Sequence, residues 1–184
     1  MYRDYYPSAD WEKIMALSNT KETPFLIVLL DRIQQKYEEF CTCFPSAKIY
    51  YAVKANPGVE LLALLRDLGS HFDIASIYEL DRVLDLGVTA DRMSFGNTIK
   101  KARHIREAYE KGVRLFTSDC EMDIRNIAKE APGSRVFFRL LMDAVTSDSD
   151  WPLSRKFGCQ PRMSMDLIVL AADLGLEPYG VSFH

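Results

Sequence analysis

The sequence lacks the features of membrane, secreted and nucleic-acid-binding proteins. Among its 184 residues, 23 Lys and Arg stand against 26 Asp and Glu, so a net charge of −3 provides no basic surplus for nucleic acid. No apolar stretch approaches the roughly 20 residues of a membrane span, and the N-terminus has no apolar core of a signal peptide. We therefore expect a soluble, cytoplasmic protein that binds neither nucleic acid nor a membrane.

The four cysteines do not form a metal-binding pattern. Cys41 and Cys43 are separated by a single residue, and Cys120 and Cys159 lie far from them along the chain. Free thiols are the usual state in a reducing cytoplasm. We predict four free cysteines and no metal site.

Glycine-rich nucleotide-binding turns are also missing, because none of the nine glycines occurs as Gly-x-Gly. What the sequence contains instead is an alternation of short β-rich runs and helical patterns of about 10 to 12 residues. Strands are predicted at Phe25–Leu30, Lys48–Val53, His71–Ala75, Arg92–Phe95, Arg114–Thr117, Arg135–Leu141 and Tyr179–Phe183. Helices are predicted at Arg32–Phe40, Val59–Leu68, Ile77–Leu86 (with Ser76 as its N-cap), Lys100–Lys111, Met122–Glu130 and Met165–Leu174. The stretch Asp143–Gly158 is polar and is predicted to be irregular.

Repeated βα units indicate a parallel sheet with helices outside it. An α/β barrel of the TIM (β/α)₈ type fits better than a doubly wound sheet, because the nucleotide-binding turn is absent. Such a barrel closes with eight strands and about 250 residues. Without Phe25–Leu30, which precedes the regular units, about six barrel strands remain by this pattern. We therefore expect an incomplete barrel, the front part of a larger protein.

Function in a βα barrel gathers at the carboxyl ends of the strands, where four residues are candidates. Lys54 follows an apolar run, so it is either a partly buried amine suited to Schiff-base chemistry or a lysine extending into solvent. Asp73 fits a helix cap or turn as well as a site. Arg139 either points outward or reaches a buried anion, and His184 alone fits a core or terminal histidine. The residues by themselves predict a lysine-centred small-molecule site of undetermined chemistry.

Five motifs, taken in order, resemble those of a known enzyme family. They are Tyr50–Pro57, Phe72–Ser76, Ser94–Asn97, Lys156–Gly158 and Gly180–His184. Their order and spacing are similar to the alanine-racemase-fold (fold type III) pyridoxal phosphate-dependent decarboxylases from Thr23 onward. Trp151–Arg155 adds a resemblance to the bacterial type of ornithine decarboxylase.

The resemblance implies pyridoxal 5′-phosphate as the cofactor and an L-ornithine decarboxylase reaction that yields putrescine and CO₂ for polyamine biosynthesis. Lys54 matches the lysine that bonds to the cofactor aldehyde, and Asp73 the aspartate beside it. His184 matches the histidine that stacks on the cofactor ring. Arg139 matches an arginine of the cofactor pocket near the ring oxygen, and Lys156 a residue near the family's homodimer interface.

The same resemblance sets the expected domain organisation. Residues 1–31 match a segment that joins a C-terminal β domain, and residues 32–184 match part of the cofactor-binding barrel. The family's phosphate loop, the acid that pairs with the pyridine nitrogen and the substrate-pocket residues lie beyond His184, so we expect this chain alone to be weakly active or inactive. Alternatives are a decarboxylase for lysine, arginine or diaminopimelate, an inactive decarboxylase-like regulatory protein, and a pyridoxal phosphate carrier.

Overall fold

A computed structural model describes residues 5–142 and 156–184 of the chain. These residues form two compact units, Met1–Pro45 and Ser46–His184. Much of the predicted irregular stretch, and the whole of Trp151–Arg155, lie outside the described residues.

The first unit contains two helices, α1 (Ser8–Ser18) and α2 (Leu30–Cys43). Asp10 of α1 is buried, and its carboxylate accepts a 2.5 Å hydrogen bond from Arg32 of α2. Helix α2 confirms the prediction at 32–40 and extends it at both ends, whereas the pattern gave no sign of α1. The unit boundary after residue 45 groups α2 with the N-terminal segment.

The strand predicted at Phe25–Leu30 is wrong. Residues 25–29 have no regular structure, and α2 begins at Leu30. Phe25, Leu26 and Val28 are exposed, and this run pairs with no strand in the described parts of the chain. A short apolar run has the composition of a strand. It forms a strand only where it pairs with a neighbouring strand.

The second unit is a single parallel sheet of six strands in sequential order, with helices between the strands. The strands are β1 (Tyr50–Ala52), β2 (His71–Ile74), β3 (Met93–Phe95), β4 (Leu115–Ser118), β5 (Arg135–Arg139) and β6 (Glu177–Ser182). The helices are α3 (Val59–Asp67), α4 (Ile77–Asp85), α5 (Ala102–Glu110), α6 (Glu121–Glu130) and α7 (Pro161–Asp173). This order is the arrangement that consecutive βα units produce in a barrel, so the six predicted barrel strands and the α/β fold class are confirmed.

The core lies between the sheet and its helices. Each strand from β2 to β5 contributes one almost fully buried phenylalanine: Phe72, Phe95, Phe116 and Phe138. Burying a side chain of this size stabilises the fold by roughly 1.5–3 kcal/mol. Because side chains alternate along a strand, the residues next to Phe72 and Phe138, namely Asp73 and Arg139, point to the opposite face of the sheet.

The start of α4 is fixed by the side chain that the sequence predicted. Ser76 Oγ accepts a 3.3 Å hydrogen bond from the backbone N–H of Glu79, and Glu79 Oε2 accepts a 2.7 Å bond from the N–H of Ala75. This pair resembles a capping box, except that the Glu79 carboxylate accepts from the residue before the N-cap rather than from the N-cap itself. It joins the end of β2 directly to the helix that follows.

None of the helices in residues 5–142 and 156–184 has both the length and the apolar character needed to cross a bilayer. All four cysteines are free thiols, as predicted.

Candidate active site

A cavity of about 720 Å³ opens on the face of the sheet opposite the helices. At the carboxyl ends of the strands it is lined by Asp73, Ser94, Gly96, Thr117, Arg139 and His184. Toward the amino ends its wall includes Lys48 and Tyr50. Three of the four predicted site residues therefore line one cavity, which is of a size typical for small-molecule sites.

Lys54 lies beside this cavity rather than in its wall. It sits on a short 3₁₀ turn, Val53–Ala55, that follows β1 and is anchored by the fully buried Val53. Its side chain is exposed, so the structure shows the solvent-extended lysine and not the partly buried one. Its positive charge nevertheless acts on Asp73 and opposes part of the rise that burial causes in the pKa of that carboxyl.

The backbone after Lys54 is held by two local hydrogen bonds. The Tyr51 hydroxyl donates to the carbonyl oxygen of Asn56 at 3.1 Å, and the N–H of Gly58 donates to Asn56 Oδ1 at 3.0 Å. These bonds fix the path of the turn, so the base of the lysine side chain has a defined position.

Asp73 is the one carboxylate among the described residues that line the cavity. Its Oδ1 accepts a 2.6 Å hydrogen bond from Ser94 Oγ, across the β2–β3 pair in which the two residues are in register. Burial is the largest influence and raises the pKa of Asp73. The Ser94 hydrogen bond and the positive charges of Lys54 and Arg139 act in the opposite direction, because they stabilise the ionised form.

Arg139, the last residue of β5, stacks on the ring of Phe157, with its guanidinium carbon 5.1 Å from the ring centroid. The Lys156 ammonium lies 4.8 Å from the same centroid, so one ring contacts two cations. The segment is attached to the sheet, because the Gly158 N–H donates to Asp119 at 2.8 Å and the Cys159 N–H to the Arg139 carbonyl at 2.9 Å. The Lys-Phe-Gly motif thus supports Arg139 from one side.

His184 follows β6 and is exposed at the cavity wall. In the described parts of the chain its imidazole makes no hydrogen bond, ion pair or ring contact. The exposed imidazole is therefore available to a ligand in the cavity.

Sequence reasoning gave no role to Ser94 and Gly96, although both line the cavity. It also passed over Lys100, whose ammonium is fully buried beneath the carboxyl ends of β3 and β4. The signals were present as residue types, but pairing Ser94 with Asp73 requires the strand register.

A family model described as "pyridoxal-dependent decarboxylase, pyridoxal binding domain" matches residues 30–184. The chain belongs to the pyridoxal-dependent decarboxylases. The predicted family membership is thereby confirmed, and so is pyridoxal phosphate as the family's cofactor.

Named decarboxylases from several organisms are similar to this chain. The lysine/ornithine decarboxylase of Selenomonas ruminantium is 37% identical over 173 residues, which are 94% of this chain and 44% of that protein. The ornithine decarboxylase of Saccharomyces cerevisiae is 36% identical over 89% of this chain and 35% of its own length. Antizyme inhibitor 2 of Xenopus laevis is 32% identical over 94% of this chain and 38% of its own length. The chain spans less than half the length of these relatives.

The crystal structure of the Selenomonas ruminantium lysine decarboxylase with pyridoxal phosphate and cadaverine superposes with a TM-score of 0.83. The two chains are 36% identical, and the match covers 94% of this chain and 43% of that one. The barrel-type fold of the second unit is therefore that of a pyridoxal-dependent decarboxylase.

Proposed function

We propose that this chain is the cofactor-binding part of a decarboxylase for a basic amino acid, with L-ornithine as the first candidate substrate and putrescine and CO₂ as products. One observation carries the proposal: Asp73, Arg139 and His184 line a single cavity, with Lys54 beside Asp73. The names of the similar proteins support ornithine or lysine as the substrate.

The side chains at the cavity fit pyridoxal phosphate. Lys54 offers an exposed primary amine for the aldehyde, and His184 offers an exposed imidazole at the cavity wall for the ring. The Arg139 guanidinium contacts the Phe157 ring but forms no ion pair with a carboxylate in the described residues, so its charge is available to an anionic oxygen. We propose that the phosphate-binding loop and the substrate pocket are supplied by the rest of a longer protein.

When bound, pyridoxal phosphate supplies a ring that accepts the electron pair left behind as CO₂ departs. Lys54 would hold the cofactor through its side-chain nitrogen, which offers a primary amine to the aldehyde. Asp73 would place its carboxyl group close to the Lys54 amine, and Arg139 would bind an oxygen of the cofactor ring. His184 would lie against the cofactor from the wall of the cavity.

The organisation of the longer protein is part of the proposal. We expect residues 1–31 to join a β domain and the protein to form a homodimer, with Lys156 near the interface. Both expectations come from the family resemblance of the sequence.

A second candidate function is regulation without catalysis, and one relative favours it. The chain is 32% identical to a protein named antizyme inhibitor 2. Lys54, Asp73 and His184 argue for the enzyme instead, since a regulatory protein does not need an amine, a carboxylate and an imidazole at one cavity.

Covalent capture of the cofactor tests the proposal. The purified chain is incubated with pyridoxal phosphate, reduced with borohydride, digested and mapped by mass spectrometry. We expect the pyridoxyl group on the peptide that contains Lys54 and its loss from that peptide in Lys54→Arg. Lys101→Arg, which changes another exposed lysine, should leave the labelling of Lys54 unchanged. Equal labelling of Lys54 and the other exposed lysines would contradict the proposal.

Catalysis is tested on a longer protein that contains this chain. Release of labelled CO₂ from carboxyl-labelled ornithine, lysine and arginine separates the substrates. Labelling of Lys54 without CO₂ release from any of the three would favour the regulatory candidate.

A further inference from the structure

Two residues at the end of β3 enclose the Asp73 carboxylate. Ser94 is in register with Asp73 and almost fully buried, and its hydroxyl donates the 2.6 Å bond to Asp73 Oδ1. Gly96 follows two residues later, and its N–H donates to the carbonyl of Ile74 at 2.9 Å. Both contacts join β3 to the end of β2 around the same carboxylate.

Gly96 is not explained by its backbone conformation. The six glycines with positive φ do not include it, so an L-amino acid could adopt this backbone without strain. A Cβ at position 96 would instead overlap both oxygens of the Asp73 carboxylate, far inside van der Waals contact. The Asp73 carboxylate therefore occupies the space that a side chain at position 96 would fill.

We infer that Ser94 and Gly96 are positioning residues for the Asp73 carboxylate, Ser94 by holding it and Gly96 by leaving room for it. The inference rests on the proposed function in one respect: the carboxylate matters there because it lies beside Lys54. Neither residue bonds to the cofactor or the substrate in this scheme. They act through Asp73.

The charges facing Asp73 come from several elements. Lys54 follows β1, Glu79 lies on α4 and Arg139 ends β5, while Ser94 faces it from β3. Burial raises the pKa of Asp73, Glu79 adds to this, and Ser94, Lys54 and Arg139 oppose it. Loss of the Ser94 hydroxyl removes a hydrogen bond that favours the ionised form, so the pKa of Asp73 rises further.

The test is a pH titration of the Asp73 carboxyl carbon by NMR, on the 184-residue chain labelled with ¹³C-aspartate and without cofactor. Asp73→Asn assigns the signal. We expect Ser94→Ala to move the Asp73 titration to higher pH and Ser94→Thr, which keeps a hydroxyl, to move it less. Gly96→Ala should also move the Asp73 titration to higher pH. The double variant Ser94→Ala/Gly96→Ala should shift it little more than either single variant, because both substitutions break the same Ser94–Asp73 contact.

Ser134→Ala is the matched control. Ser134 is fully buried at the edge of β5, and its hydroxyl has no hydrogen-bond partner within the described chain. The Ser134→Ala variant should lose packing contacts without changing the Asp73 titration. An unchanged titration in Ser94→Ala, or an equal change in Ser134→Ala, would overturn the inference. If Gly96→Ala does not fold, Ser94→Ala and Ser94→Thr still decide it.

Failure here is distinguishable from failure of the proposed function. The titration needs no cofactor, whereas labelling of Lys54 does. A shifted Asp73 titration without Lys54 labelling would leave the positioning role standing and remove the proposed function. Lys54 labelling with an unshifted Asp73 titration would support the proposed function and remove the positioning role of Ser94 and Gly96.

Discussion

Lys100 carries a positive charge with no solvent exposure of its side chain. Its ammonium donates to the carboxylate of Asp123 at 2.7 Å and to the carbonyls of Thr117 at 2.6 Å and Asn97 at 2.8 Å. Burial lowers the pKa of Lys100 and raises the pKa of Asp123, and each partner's charge opposes that effect on the other. A single amine thus connects the loop after β3, the end of β4 and helix α6.

Removing that amine should destabilise the fold strongly. We expect Lys100→Met to lower the free energy of unfolding by about 3–5 kcal/mol, because it leaves the Asp123 carboxylate buried without its cationic partner. Urea unfolding of the chain measures the change. Lys129→Met, at an exposed lysine of α6, should alter stability by less than about 0.5 kcal/mol.

A double variant separates the ion pair from simple packing. Lys100→Met combined with Asp123→Leu removes both charges, so part of the lost stability should return. A double variant no more stable than Lys100→Met would show that the cost is not that of an unpaired carboxylate.

The structure bears on where the predicted site residues lie, but not on the roles predicted for them. The positions of Asp73, Arg139 and His184 at one cavity agree with the rule that strand ends collect functional groups. The roles of these residues stay predictions. The importance of Ser94 and Gly96 could not be predicted from the sequence. Ser94 depends on the register of β3 against β2, and Gly96 depends on the space that the Asp73 carboxylate occupies.

At the scale of elements, the segment of Phe157 and Gly158 is held by backbone conformation as well as by contacts. Gly158 has φ of +101°, and a Cβ there would also approach the backbone of Leu140 to 2.8 Å. The turn therefore requires glycine for two reasons. It keeps the Phe157 ring against Arg139.

Gly158→Ala tests this. A left-handed backbone alone costs roughly 1–2 kcal/mol for alanine, and the overlap with Leu140 adds to that cost. Gly133→Ala is the control, since Gly133 has φ of +71° with nothing within 4 Å of a Cβ. We expect Gly158→Ala to be the less stable of the two in urea unfolding. Equal losses would contradict the steric argument.

Helices were easier to predict than the N-terminal segment. The structure places α3 to α6 within a few residues of the predicted ranges, because each has an apolar stripe and most end at a glycine. The Ser76 cap is confirmed. The run at 25–30 misled the prediction because apolar composition does not reveal whether a strand has a partner.

At the scale of the whole molecule, Asp73 reduces stability at neutral pH. Burial raises its pKa from the ordinary 3.8, so the folded chain disfavours ionisation more than the unfolded chain does. The resulting loss of stability is absent below pH 3.8, grows as the pH rises and is complete above the folded-state pKa. This is the direction expected for a group kept for function rather than for folding.

Asp73→Asn should therefore stabilise the chain at pH 7 and not at pH 3.5. Asparagine cannot ionise, and its side-chain oxygen still accepts the Ser94 bond. Urea midpoints at the two pH values measure the difference, with Asp85→Asn, at an exposed aspartate, as the control. A variant less stable than the original chain at pH 7 would contradict a raised folded-state pKa for Asp73.

The outermost strands of the sheet have a consequence for motion. β1 and β6 each have one neighbour in the described sheet, while β2 and β3 are paired on both sides. In the described sheet Lys54 follows β1 and His184 follows β6, whereas Asp73 and Ser94 lie on strands that are paired on both sides. Because a strand with one neighbour opens more readily than a strand with two, we expect faster amide hydrogen exchange in β1 and β6 than in β2 and β3 of this chain.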